Sequence, residues 1–228
     1  MIFLILLGLT FFMQLLCASW YDLAKKTKDT KKAFKHKMLC STIYTAAVLL
    51  CNGISKQPFG SYSVTFFICF VLLFLSDVFE EKLKSKGFVV SLYLKSFAFS
   101  GITGALLHKH VYLFSEKFSE NAVAYVTITA IAVLIFVLAT IIKKEPKRIP
   151  LAAASALLVT QGILFGIPLQ QSPNAIHQAA SCAIVMGTLA ITVSNILHIT
   201  DKAEKKSLLK VNLYYFGLMF LACSVAIL

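Results

Sequence analysis

A short set of polar side chains interrupts the apolar runs of this 228-residue chain: Asp77, Lys95, Gln161, Ser194, Asn195 and His198, with Tyr93, Tyr214 and Tyr215 as amphipathic neighbours. An ionisable group inside a bilayer costs roughly 2.5 to 3.5 kcal/mol on insertion scales, so each marks a candidate site by default. Their chemistry is complementary. Asp77 can give a proton and Lys95 can hold an anion, while the Asn195 amide can orient a water through its carbonyl or bond a carboxylate through its nitrogen. Blander roles exist for each residue taken singly. Asp77 is followed by Glu80 and Glu81, a pattern common at a solvated helix end. Ser and Asn often serve as interhelical glue worth about 0.6 kcal/mol, and a lysine can snorkel to the interface.

The elements that must position these groups are membrane helices. Of the residues, 58% are hydrophobic and 14% charged, and the apolar ones come in runs, which is the balance of a polytopic membrane protein. A bilayer core about 30 Å thick needs roughly 20 apolar helical residues per crossing. Eight candidates are present, at approximately 1–21, 38–54, 60–79, 87–107, 121–142, 149–169, 174–199 and 207–228. The predicted fold is an all-α bundle of eight transmembrane helices in a single domain, 1–228. The first segment lacks the basic start and small-residue cleavage site of a signal peptide, so it counts as a helix.

The net charge of +12 reports orientation. Of the 22 Lys and Arg residues, 18 fall in the first, third, fifth and seventh connections. Positive residues stay cytoplasmic during insertion, so those connections are expected inside and both termini outside. The basic excess then suits anionic headgroups and not nucleic acid. At 1.5 Å per residue Asp77 lies about 5 Å inside the cytoplasmic face and Lys95 about 12 Å. Asn195, Tyr214, Tyr215 and Lys37 lie at similar levels of the same leaflet. Four or five helices therefore place polar groups at one depth, and that clustering favours a shared site over the bland readings.

Other signals are weak. The six cysteines lie in or beside apolar segments without C-x-x-C spacing and read as small buried hydrophobes. His108, His110 and His177 make a poor metal set, and no metal or cofactor is expected. The common nucleotide, zinc and serine-hydrolase signatures do not occur. Gln161 with Gly162, Gly166 and Pro168 forms a broken-helix candidate for a solute transporter, without a matching break in the first half.

Several stretches resemble one family. "LLFLSDVFEEK" (72–82) resembles the third-helix aspartate motif of the lysoplasmalogenase (YhhN-type) family of eight-helix membrane proteins, with Ser76 and Asp77 as its Ser-Asp pair. "MGTLAITVSNILHITDK" (186–202) resembles the second motif of that family, with Gly187, Ser194 and Lys202 in place. "NLYYFGLMFLA" (212–222) resembles its closing helix with the Tyr-Tyr pair, and "KMLCSTIY" (37–44) the start of its second helix. The departures are specific. Asn195 stands where the second motif has aspartate, Leu218 where the last helix has Gln, Phe99 at the histidine place of the fourth helix, and Met38 at the proline.

The resemblance implies hydrolysis of the vinyl ether of a lysoplasmalogen or related lysophospholipid to a fatty aldehyde and a glycerophospho-headgroup. Such ethers are protonated at carbon and water then adds to the oxocarbenium ion, work well suited to two carboxylates in different protonation states. Mapped onto this chain, the catalytic pair is Asp77, as proton donor, and Asn195. Substrate-binding positions are Lys37, Ser76, Tyr93, Lys95, Ser194, Lys202, Tyr214 and Tyr215, with Lys95 one turn before Phe99 as a stand-in for the histidine. An Asp77–Lys95 ion pair would make a poor carbon acid, so a non-catalytic lipid-binding or transport protein on the same scaffold is the alternative. Asp77 and Asn195 are expected to converge on one site. A bacterial plasma membrane is the expected location.

Overall fold

The computed structural model describes residues 2–55, 60–200 and 207–228, with the side-chain surroundings of 2–7, 84–86, 199, 200 and 207 left out. Eight α-helices follow in order: α1 (Ile2–Lys26), α2 (Thr30–Ile54), α3 (Ser61–Lys82), α4 (Lys84–Leu113), α5 (Ser115–Ile142), α6 (Ile149–Gln171), α7 (Ala175–Thr200) and α8 (Ser207–Ile227). A 3₁₀ turn over Pro146–Arg148 joins α5 to α6. Helices α2 to α8 are each long and apolar enough to cross a bilayer. The chain is thus an all-α, polytopic membrane bundle of eight helices.

Helix ends follow local chemistry. Between α1 and α2 the chain reverses through Lys28 at φ 57°, and Asp29 then caps α2 by accepting the Lys32 backbone N–H at 3.0 Å. That bond holds the Asp29 carboxyl below the usual carboxylate range. The cap starts α2 eight residues before its apolar stretch, so the basic run 30–37 is helical too. Pro150 stands in the first turn of α6, where the absent N–H has no intrahelical role.

Six helices close a ring, α2–α3–α4–α6–α7–α8 and back to α2, with α1 laid against α2 and α8 and α5 against α6. The core fills the ring with Tyr44, Phe66, Phe70, Leu73, Phe99, Ile102, Leu158 and Leu218, all at most 1% exposed. Helices α7 and α8 approach closely where Gly187 meets Gly217. A Cβ added at Gly187 would lie 2.9 Å from the Gly217 carbonyl oxygen and one at Gly217 2.7 Å from that of Gly187. Small residues at such a crossing let two membrane helices pack backbone to backbone. Two turns further along, the same contact brings the Ser194 hydroxyl to the Lys210 carbonyl at 2.7 Å.

Candidate functional site

Chain alternation brings the C-terminal ends of α1, α3 and α7 together with the N-terminal ends of α2, α4, α6 and α8. Each contributes one face at helical spacing. Lys37, Ser41 and Tyr44 recur at i, i+4 and i+7 on α2; Asp77, Glu80 and Glu81 at i, i+3 and i+4 on α3; Ser91 and Lys95 at i, i+4 on α4.

The faces interlock as a charge network. Lys37, only 4% exposed, holds Glu80 at 3.0 Å, Glu81 at 3.4 Å and Asp77 at 3.8 Å. Lys95 donates to Glu80 at 2.7 Å and lies 3.8 Å from the same Asp77 Oδ1. On its other oxygen Asp77 accepts from Ser41 at 2.7 Å and Tyr44 at 3.3 Å, while Tyr21 donates to Glu81 at 2.8 Å. Buried charge persists only where it is paired and hydrogen-bonded, and three carboxylates here satisfy two ammonium groups. Each lysine also sits over a ring, Lys37 over Tyr21 at 5.8 Å and Lys95 over Tyr214 at 5.5 Å.

Two polar atoms are left over. Asp77 Oδ1 and the Tyr214 hydroxyl are buried with no hydrogen-bond partner among the described residues. Both residues line a cavity of about 120 Å³. Lys37, Asp77, Glu80 and Lys95 line it together with Ser194, Asn195 and His198, and the exposed Lys25 and half-buried Lys210 belong to the same lining. Asn195 donates to Ser155 of α6 at 2.8 Å, and Thr192 donates to the Ser155 carbonyl at 3.3 Å, which ties the end of α7 to α6. Arg148 buttresses the same wall: its guanidinium donates to the His198 carbonyl and lies 5.4 Å from the centre of the Phe88 ring, itself part of the lining.

Seven of the ten site residues expected from sequence line this cavity: Lys37, Asp77, Lys95, Ser194, Asn195, Tyr214 and Tyr215. Ser76 and Tyr93 do not. The Ser76 hydroxyl turns to α4, within 2.8 Å of the Ser91 hydroxyl and 3.1 Å of the Ser91 carbonyl, and so clamps α3 to α4. Tyr93 is 59% exposed. It shares its depth with Lys95, but residues two apart on a helix point in nearly opposite directions. Lys202 lies outside the described residues. Phe99 and Leu218, at the places of the histidine and the Gln, are fully buried core residues.

In sequence, Glu80 and Glu81 after Asp77 form a pattern common at a solvated helix end, yet their side chains are only 19% and 18% exposed. The i, i+3, i+4 spacing from Asp77 was the signal that could have found them. Tyr21, Ser41, Tyr44 and Ser155 carry no comparable mark. Elsewhere, Gln161 is hydrogen-bonded to His110 at 3.2 Å, and Gly162 and Gly166 lie against Thr188 and Val185 of α7. Among the described residues no three of His, Cys, Asp and Glu are grouped to hold a metal.

No protein family, no curated protein and no solved structure matches this chain.

Proposed function

We propose that this chain is a divergent lysoplasmalogenase-like membrane hydrolase that acts on the vinyl ether bond of a lysoplasmalogen or related lysophospholipid, with Asp77 as the acid. The observation that carries the reading is Asp77 itself, 1% exposed, lining a cavity with no hydrogen bond to Oδ1 among the described residues. Among the described residues no group hydrogen-bonds that oxygen, which leaves it open to a substrate carbon in the cavity. Size agrees with such a role. At roughly 30 Å³ per water, the cavity takes the reacting end of a lipid and a water, and the long chain runs out along apolar helix faces. The exposed Lys25 and half-buried Lys210 of the lining suit the phosphate of the headgroup. The reading also places the cavity end at the cytoplasmic face, with both termini outside, in a bacterial plasma membrane.

One observation favours a second reading, a non-catalytic lipid-binding or transport protein. Lys37 and Lys95 both stand 3.8 Å from Asp77 Oδ1, and a carboxylate held by two ammonium groups must lose that hold before it carries a proton.

Purified protein in detergent micelles, incubated with choline lysoplasmalogen, decides between them. The hydrolase releases fatty aldehyde and, in D₂O, places one deuterium on the carbon next to the carbonyl. Asp77→Asn then lowers the rate at least 100-fold, in the range of a lost general acid of roughly 10²–10⁴. A wild type that binds the lipid without turnover, and gains turnover on Asn195→Asp, marks a binding protein on a degenerate hydrolase site.

A further inference from the structure

Two-carboxylate chemistry needs a base as well as an acid, and position 195 carries an amide whose nitrogen is engaged with Ser155. The cavity nevertheless holds a second carboxylate on the same helix face as the first. Resting on the hydrolase reading, we infer that Glu80 is the catalytic base that the amide at position 195 cannot be, so that the pair Asp77 and Glu80 replaces a pair drawn from two helices.

Three observations place it there. Glu80 lines the cavity beside Asp77, one turn further along α3. Its Oε2 and Asp77 Oδ1 lie within 3.8 Å of the same two ammonium nitrogens, so both oxygens face one small volume. The lysines divide unequally between them. They approach Glu80 to 2.7 and 3.0 Å but Asp77 only to 3.8 Å, and Ser91 adds a third donor to Glu80 at 3.4 Å. Glu80 is thus the carboxylate the cations hold more closely, and Asp77 Oδ1, without a hydrogen bond among the described residues, is the oxygen left to act on the substrate. Environments that separate two carboxylates in this way separate acid from base.

The cycle closes with these two groups. Asp77 gives its proton to the vinyl carbon remote from the ether oxygen, and the electron pair of the double bond forms the new C–H bond. Water adds to the oxocarbenium carbon as its proton passes to Glu80, which Lys37 and Lys95 release as they turn to the charge left on Asp77, 3.8 Å from both. The hemiacetal then collapses: its hydroxyl proton returns to Asp77, Glu80 protonates the ether oxygen, and the C–O bond breaks to release aldehyde and alcohol. Both side chains end as they began.

The test uses the full chain in micelles with choline lysoplasmalogen, and compares wild type with Glu80→Gln and Glu80→Asp. Glu80→Gln is expected to lower kcat at least 100-fold with KM within about threefold, in the range for loss of a general base. Glu80→Asp, which keeps the charge on a shorter stem, is expected to lower kcat about tenfold. An active wild type whose kcat survives Glu80→Gln within threefold overturns the assignment and leaves the hydrolase reading standing. A wild type that releases no aldehyde fails that reading and the assignment with it. Should Glu80→Gln not accumulate as folded protein, Glu80→Asp decides, and an undiminished kcat there overturns the assignment.

Discussion

Two cavities at opposite ends of the bundle have similar ingredients and different chemistry. The first, about 120 Å³, places Lys37 and Lys95 over tyrosine rings amid Asp77 and Glu80. The second, about 160 Å³, lies between the end of α2, the start of α3 and the ends of α4 and α8, and places Lys109 over Tyr62 and Tyr112 at 5.6 and 5.9 Å. No described residue lining the second is an acid. Burial explains the contrast. Lys37 is 4% exposed and must be paired with charge, whereas Lys109 is half-buried and has two rings and the Leu228 backbone oxygen as partners. A tyrosine face can seat a cation at either end, but only deep burial demands carboxylates, and carboxylates facing a cavity are what acid–base chemistry needs.

The largest break in that comparison comes from removing the buried cation. Lys37→Met is expected to cost about 3 to 5 kcal/mol, the range for breaking a buried ion pair from one side, because Glu81 loses its ammonium partner and Asp77 and Glu80 must share Lys95. A fall in thermal unfolding temperature of the micellar protein measures it. Loss under 1 kcal/mol would mean that the carboxylates are not held by Lys37. Asn195→Ala is expected to cost less, about 1 kcal/mol for one hydrogen bond, since the Ser155 hydroxyl keeps its bond to the Leu151 carbonyl at 2.7 Å. The same thermal assay checks it, and a cost near that of Lys37→Met would give Asn195 a larger structural part than its single contact.

Much of the fold was legible because apolar runs set helix number directly, and the eight helices fall on the eight runs. Their ends were less so. Hydropathy reports the part in lipid, while the Asp29 cap carries α2 eight residues into a basic run that scores as loop. The site was legible in depth and not in direction. Depth gathers Lys37, Asp77, Lys95, Asn195 and the two tyrosines, all on one cavity, but it also gathers Tyr93, which faces out. Glu80 was passed over for the opposite reason: a carboxylate near a helix end looks solvated until the helix beside it is known to carry Lys37. Ser155 is the hardest case, because a lone serine in a membrane helix has no signature and only the α6–α7 packing makes it the partner of Asn195.

The smallest effect belongs to the second cavity and sharpens the comparison most cleanly. Lys109→Met removes a cation that lies over two rings and donates to the Leu228 carbonyl at 3.1 Å, while a methionine keeps most of the apolar stem. Exposed cation–π contacts contribute about 0.5 to 1 kcal/mol and a hydrogen bond about 1 kcal/mol, but methionine also spares the desolvation of a half-buried ammonium, so the net change expected is no more than about 1 kcal/mol. Aldehyde release is expected to match wild type, because the described linings of the two cavities share no residue. A loss of several kcal/mol in the thermal assay would show that Lys109 is paired as tightly as Lys37, and burial would no longer account for the difference between the two ends. A large loss of aldehyde release at unchanged stability would join the two cavities into one functional path, a result that transport through the ring of helices would produce and hydrolysis at one end would not.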